Sequence, residues 1–214
     1  MSTIRGGACS VKIYFDGDSW THGGELDKKG REYLRYSRLV SKKLGAVEYN
    51  FSQCGASNYK IVRRLLIDHD ISEYDIAIIQ MTYPERLEYY DKKWKTISIV
   101  DTPLVHYHLL PPWEKKKKIL EKKGIDHKFW TQYYKEIYDE HYGYTYEQIH
   151  AITIRNHCEL NNVPLILMTN NNLFADNRNF DLELERPRYP KFKGGHPTEE
   201  GHRIIADDLL RMLL

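Results

Sequence analysis

A glycine, an aspartate and a serine stand together at Gly17, Asp18 and Ser19, and a histidine followed by proline stands near the other end of the chain at His196. A serine hydroxyl is a poor nucleophile near neutral pH unless a base takes its proton, and imidazole is the side chain best matched to that task. The two residue types therefore point to nucleophilic attack on an acyl carbon. The triplet alone carries little weight, because Gly, Asp and Ser are ordinary turn residues. Its position directly after a short apolar run, Val11 to Phe15, gives it more.

Two further segments offer polar groups of the same kind. In Asn50 to Asn58 a small residue, Gly55, would let a backbone N–H approach a substrate oxygen and help stabilise a tetrahedral anion. A plain turn before a helix accounts for the same residues. In the segment Gln80-Met81-Thr82-Tyr83-Pro84-Glu85-Arg86, Thr82 offers a hydroxyl donor and Arg86 a fixed cationic fork for a carboxylate or phosphate. A structural pairing of Arg86 with Glu85 or Asp91 is the plainer alternative.

These groups need elements to position them. Val11–Phe15, Val47–Phe51, Asp75–Met81 and Pro164–Thr169 read as strands, and a weaker fifth signal lies near Phe180–Leu184. Glu32–Leu44, a segment from about Asn58 to Asp68, and a final one from about Thr198 to Leu214 read as helices, with Asn58 as the cap of the second. Strands alternating with helices predict a parallel, doubly wound sheet, whose sites form at the carboxyl ends of the strands. The chain reads as one domain, residues 1–214, with an insertion at about 83–146 that breaks the rhythm. That insertion is expected to hold one or two helices and to serve either as a lid or as an extra packing layer.

Composition narrows the class. The 214 residues are 41% hydrophobic, enough for a core, and carry a formal net charge of +2, which gives no general reason to expect a nucleic-acid partner. Seventeen tyrosines and four tryptophans stand beside six phenylalanines. Such amphipathic rings suit wet binding clefts and equally suit a surface of mixed polarity. Three cysteines without framework spacing, Cys9, Cys54 and Cys158, argue against a disulfide scaffold. No apolar leader core and no span of ~20 apolar residues is present, so the expectation is a protein that is cytoplasmic as synthesised, with no membrane partner. His106 and His108 have no third ligand at a metal-site spacing, and Lys115 to Lys118 read as a solvated helix face. Neither a metal nor a cofactor is expected.

Taken together, Gly17–Thr21, the Gly55 turn, the end of the third strand and His196–His202 resemble the four sequence blocks of the SGNH (GDSL-like) hydrolases, in the family's order. The resemblance implies a flavodoxin-like three-layer α/β/α sandwich with four to five parallel strands. It implies a serine esterase that works through an acyl-serine intermediate, with Ser19 as nucleophile and His196 as base. The Ser19 and Gly55 N–H groups and Thr82 would line the oxyanion hole. Two positions depart from the family. Thr82 stands where an asparagine is usual, a variant that resembles phage-encoded relatives, and Lys193 stands where the triad aspartate is usual. The orienting acid is then expected at Asp176 or Asp181, or is replaced by a backbone carbonyl. Asp18, Tyr83 and Arg86 are candidate substrate-binding residues. The expected substrate is a small acyl ester, acetyl above all, on a small molecule or a glycan. The alternative is a catalytically weak binding or virion protein on the same fold.

Overall fold

The structure, a computed structural model, describes residues 10–99, 113–170, 179–184 and 188–214. Five parallel strands form the sheet: β1 (Lys12–Asp16), β2 (Val47–Asn50), β3 (Ile76–Met81), β6 (Leu165–Thr169) and β7 (Leu182–Glu183), in the spatial order β2-β1-β3-β6-β7. This is the flavodoxin-like order, and it places a topological switch between β1 and β3, where consecutive connections leave to opposite faces. The weak fifth signal is a strand of two residues, β7.

Side chains alternate along each strand, so each strand feeds both faces of the sheet. Ile13, Phe15, Ile78, Ile166 and Met168 pack on one face against α3 (Tyr36–Leu44) and α8 (Glu199–Leu213), through Tyr36, Val40, Ile205 and Leu209. Tyr14, Ala77, Ile79, Met81 and Leu167 pack on the other against α4 (Asn58–Arg63) and α7 (Glu140–Leu160), through Ile61, Ala151 and Ile154. Burial of both faces explains why β3 and β6 read as nearly continuous apolar runs.

Three boundaries differ from the sequence reading. The single helix expected over Glu32–Leu44 is two, α2 (Lys28–Tyr33) and α3, with Asp27 capping the first through Gly30 N–H at 2.6 Å. The cap of α4 is Ser57, which accepts from Lys60 N–H at 3.2 Å, while Asn58 is buried inside the helix start. At Arg64 the helix widens into a π-turn through Asp68.

The insertion begins not with a helix but with an antiparallel hairpin, β4 (Leu87–Asp91) and β5 (Lys93–Ile97). Its turn residue, Lys92, has φ of 57°, a left-handed conformation normally signalled by Gly or Asn. The sequence lacks that signal, which is why the hairpin was not expected. Helices α5 (Trp113–Lys122) and α6 (His127–Glu136) follow and join the hairpin in a third core of Leu87, Ile97, Leu120, Ile125, Trp130 and Tyr134. Tyr134 Oη donates to Glu85 O at 2.6 Å, tying this layer to the loop after β3. No helix among the described residues is long and apolar enough to cross a membrane.

Candidate active site

The loops after β1 and β3 meet at the switch point. The β1 strand ends in Asp16, and the chain turns through Gly17 into the short α1 (Ser19–His22). A side chain at Gly17 would press on the Thr21 hydroxyl and lie 2.8 Å from Gln80 Oε1, so only glycine fits. Gln80 Oε1 accepts from Asp18 N–H at 3.2 Å and from Thr21 Oγ1 at 2.9 Å, which holds the turn against β3. Trp20 is buried in the core and anchors α1 from the other side. Ser19 is the first residue of α1, where its N–H has no acceptor within the helix.

A small loop carries His196 to the same place. Phe192 N–H donates to His196 O at 2.8 Å, Gly195 N–H to Phe192 O at 2.9 Å, and Thr198 N–H to Pro190 O at 2.9 Å. Gly195, at φ of 90°, makes the turn, and Thr198 caps α8. Ser19 Oγ and His196 Nε2 are 2.7 Å apart, within hydrogen-bond reach.

On the far side of the ring, His196 Nδ1 donates to Glu25 Oε2 at 2.9 Å, and the His196 backbone N–H donates to the same oxygen at 3.1 Å. Partial desolvation works against ionising Glu25. The hydrogen bonds from His196 and Gly194, with the His196 charge, outweigh it and hold the carboxyl below its ordinary range. Two glycines make room for this line of groups. A Cβ on Gly24 would lie 3.0 Å from Ser19 Cβ and 3.1 Å from His196 Cδ2, and one on Gly194 would lie 2.6 Å from the Glu25 carboxyl carbon.

Glu25 is the residue that the sequence reading missed. The acid was sought before His196, at Asp181 or Asp176. Asp181 instead accepts Leu167 N–H at 2.8 Å and pairs with Arg155 at 2.9 Å, and Asp176 lies outside the described residues. Lys193, in the family's aspartate position, is exposed. The signal available in the sequence was Gly23-Gly24-Glu25 directly after α1, but a glutamate beside glycines is commonplace on a surface.

Thr82 also has a different task from the one expected. Its hydroxyl donates to Asp18 Oδ2 at 2.6 Å and accepts from Arg86 Nη1 at 2.6 Å, while Arg86 Nη1 also donates to Asp18 Oδ2 at 2.6 Å. The single Thr82 proton is thus committed to Asp18, which corrects its assignment to the oxyanion hole. Asp18 is fully buried, and its Oδ1 accepts Trp20 N–H at 2.9 Å. It is therefore a support for the nucleophile turn rather than a substrate contact. Asn58 locks the same corner, with Thr82 N–H donating to its Oδ1 at 2.8 Å and its Nδ2 donating to Thr82 O at 2.9 Å. Tyr83 is half-buried, with the Arg86 guanidinium 5.3 Å from its ring centroid. Gly55 is exposed, at φ of 75°, on a turn whose Gln53 N–H donates to Gly17 O at 3.1 Å.

Beneath the site, Asp16 accepts Gly17 N–H at 2.6 Å and Arg64 Nη2 at 2.5 Å. Burial lifts its carboxyl to about 6 despite the Arg64 charge beside it. His202, on the last helix, is buried and accepts Tyr36 N–H on Nδ1 at 3.3 Å.

No family model and no curated protein matches the sequence. Solved structures do match in shape. The chain is similar to TesA at 10% identity with a TM-score of 0.52, covering 94% of this chain and 97% of that one. It is similar to the lipase Lip_vut3 from a goat rumen metagenome at 14% identity with a TM-score of 0.51, again covering 94% and 97%. At such identities the likeness is one of fold, and it spans nearly the whole chain. The protein therefore shares the three-layer α/β/α fold of TesA and of this lipase over nearly its whole length.

Proposed function

We propose that the protein is a serine ester hydrolase in which Ser19, His196 and Glu25 form the catalytic relay. The observation that carries this reading is the unbroken line from Ser19 Oγ to His196 Nε2 at 2.7 Å and from His196 Nδ1 to Glu25 Oε2 at 2.9 Å. In this mechanism Ser19 Oγ attacks the ester carbonyl carbon and its proton passes to His196 Nε2. Glu25 holds the ring with its proton on Nδ1 and stabilises the imidazolium as it forms. The Ser19 and Gly55 N–H groups receive the developing oxyanion, at a strand-to-helix turn held rigid by Gln80 and Asp18. The imidazolium returns its proton to the leaving alcohol, which departs and leaves an acyl-serine. Water then attacks that ester, His196 again accepting and returning the proton, and the carboxylic acid leaves.

The acyl group in this reading is small, and acetyl is the natural candidate. Ser19 is only 7% exposed, and Gly24 leaves little space beside it. A carbohydrate alcohol suits the half-exposed Trp94 ring of the adjoining cleft. The case for an inactive binding protein rested on the missing acid, and the Glu25–His196 hydrogen bond favours the enzyme reading over it. The test is turnover of p-nitrophenyl acetate by the wild type, Ser19→Ala and His196→Ala, with fluorophosphonate labelling of Ser19. Activity lost in both variants supports the relay. Wild-type activity at background with no labelling sinks it.

A further inference from the structure

Beside the nucleophile turn lies a cleft of about 530 Å³ between the Gln53–Ala56 turn and the β4–β5 hairpin. It adjoins the relay directly. Gln53 N–H is bonded to Gly17 O, and Arg86, in the lining, is bonded to Asp18, the residue before Ser19. Gly55, the second oxyanion donor of the proposed mechanism, stands on its rim.

The charge of this cleft is one-sided. Among the described residues its lining holds five cationic side chains and no carboxylate. Lys95 is held by Asp91 at 2.6 Å, and Arg86 is partnered by Asp18. Lys60 Nζ donates to the neutral Gln53 Oε1 at 2.7 Å, so its charge is not balanced there. Burial, with the neighbouring Arg64 charge, lowers its pKa. Lys93 is exposed on the hairpin, where its charge acts on the Asp91 that Lys95 binds, and Lys123 is exposed after α5; among the described residues neither lies within ion-pair distance of a carboxylate. Low-dielectric walls lined by one sign of charge concentrate ligands of the opposite sign. A flat apolar surface accompanies the charge: Trp94 lines the cleft, is 50% exposed, and is steadied by the Arg63 guanidinium 4.9 Å from its ring centroid.

We propose that this cleft is a subsite for an anionic sugar on the alcohol side of the ester, with Trp94 against the ring face and Lys93, Lys123 and Lys60 around its acidic group. This rests on the esterase reading and narrows it to acylated acidic glycans. A neutral glycan would leave the lysines unpaired, and a simple anion would make no use of Trp94.

The experiment compares kcat/KM on acetylated oligogalacturonate and on acetylated xylooligosaccharide, with p-nitrophenyl acetate as the measure of the relay itself. The expected result is a preference of about tenfold for the acidic substrate at low salt, a size set by a few exposed charge pairs. That preference should shrink as salt rises and disappear in the Lys93→Gln/Lys123→Gln double variant, whose positions are exposed and whose fold can be checked by its melting temperature. Trp94→Ala should raise KM for both glycans. An acidic-to-neutral ratio near one in the wild type, or one unmoved by the double variant while p-nitrophenyl acetate is still turned over, overturns the subsite and leaves the esterase reading standing. If no ester is turned over, the esterase reading fails. Calorimetric binding of oligogalacturonate by wild type and double variant then decides the cleft alone: no binding, or equal binding, overturns it.

Discussion

Glu25 stands six residues after Ser19 and 171 residues before His196, yet its carboxylate meets His196 Nδ1 at 2.9 Å. The imidazole requires an acceptor at Nδ1 and is indifferent to the loop that supplies it. Here the acid comes from the loop that follows α1, the short helix that Ser19 opens, so Ser19 and Glu25 flank the ring from neighbouring positions in the chain. Lys193, where an acid would precede the histidine, is free of that duty.

Replacing Glu25 by Gln preserves the size of the side chain but removes the charge that stabilises the imidazolium. Its amide can also present an N–H to Nδ1 and favour the wrong tautomer. We expect kcat on p-nitrophenyl acetate to fall by about 10³–10⁴, as for the equivalent change in serine proteases, with the melting temperature little altered. Steady-state kinetics of Glu25→Gln beside Asp181→Asn separates the two acids. A large loss in the latter with none in the former would return the role to Asp181.

Gly24 packs against both Ser19 and His196, the partners of the proposed proton transfer. In Gly24→Ala the methyl group would sit 3.0–3.2 Å from Ser19 Cβ and His196 Nε2 and force the pair apart. An ångström of misplacement costs on the order of 10²-fold. The rate of fluorophosphonate labelling should fall accordingly. Labelling at the wild-type rate would mean that the site has slack where the geometry shows none.

Thr82 distinguishes an oxyanion donor from a structural one. Loss of a donor from an oxyanion hole costs roughly 10²–10³ in kcat. Because the Thr82 hydroxyl is bonded to Asp18 and Arg86, Thr82→Val should lower kcat by less than about tenfold and lower stability by about 1–2 kcal/mol, the cost of one hydrogen bond to a buried carboxylate that keeps its bond from Arg86. Arg86→Leu should destabilise more, by about 3–5 kcal/mol, since it strands a buried charge. Urea denaturation of the two variants gives the comparison. A hundredfold fall in kcat for stable Thr82→Val would restore its place in the oxyanion hole.

Two buried histidines predict the acid limb of stability. Desolvation, with the His196 and Arg35 charges nearby, lowers His202 to about 3, and desolvation lowers His150 to about 4. Each is neutral in the folded state and binds a proton on unfolding at any pH between its folded value and about 6.5, the unfolded one. Their contribution is complete above about 6.5 and is lost as pH falls toward the folded values, at up to about 1.4 kcal/mol per pH unit for each. His202→Gln can still accept Tyr36 N–H but does not titrate. The difference between wild-type and variant melting curves should therefore change slope between pH 6 and pH 4. Parallel curves would show that His202 is already charged in the folded protein.

Much of the frame was legible because it is local. The apolar runs of Asp75–Met81 and Pro164–Thr169, the spacing of Ser37, Val40 and Leu44, and the helix start at Pro197-Thr198 each report on a few neighbouring residues, and period and capping are local physics. Ser19 after the first strand and His196 before the last helix followed from the same reasoning, since loops at the carboxyl edge of a parallel sheet converge. The β4–β5 hairpin was not legible, because Lys92 occupies a left-handed position without the glycine that advertises one.

What the sequence determined by itself is the alternation of strands and helices, the switch point it creates, and the two residues whose chemistry needs each other. What only the tertiary structure decided is which acid faces His196, what holds the Thr82 proton, and that five cations line one wall-to-wall cleft beside the nucleophile. Each of these depends on which loops of a folded sheet end up within about 3 Å of one another. A hydrogen bond falls off over a fraction of an ångström, so residue type and spacing along the chain carry no record of the partner that close packing supplies.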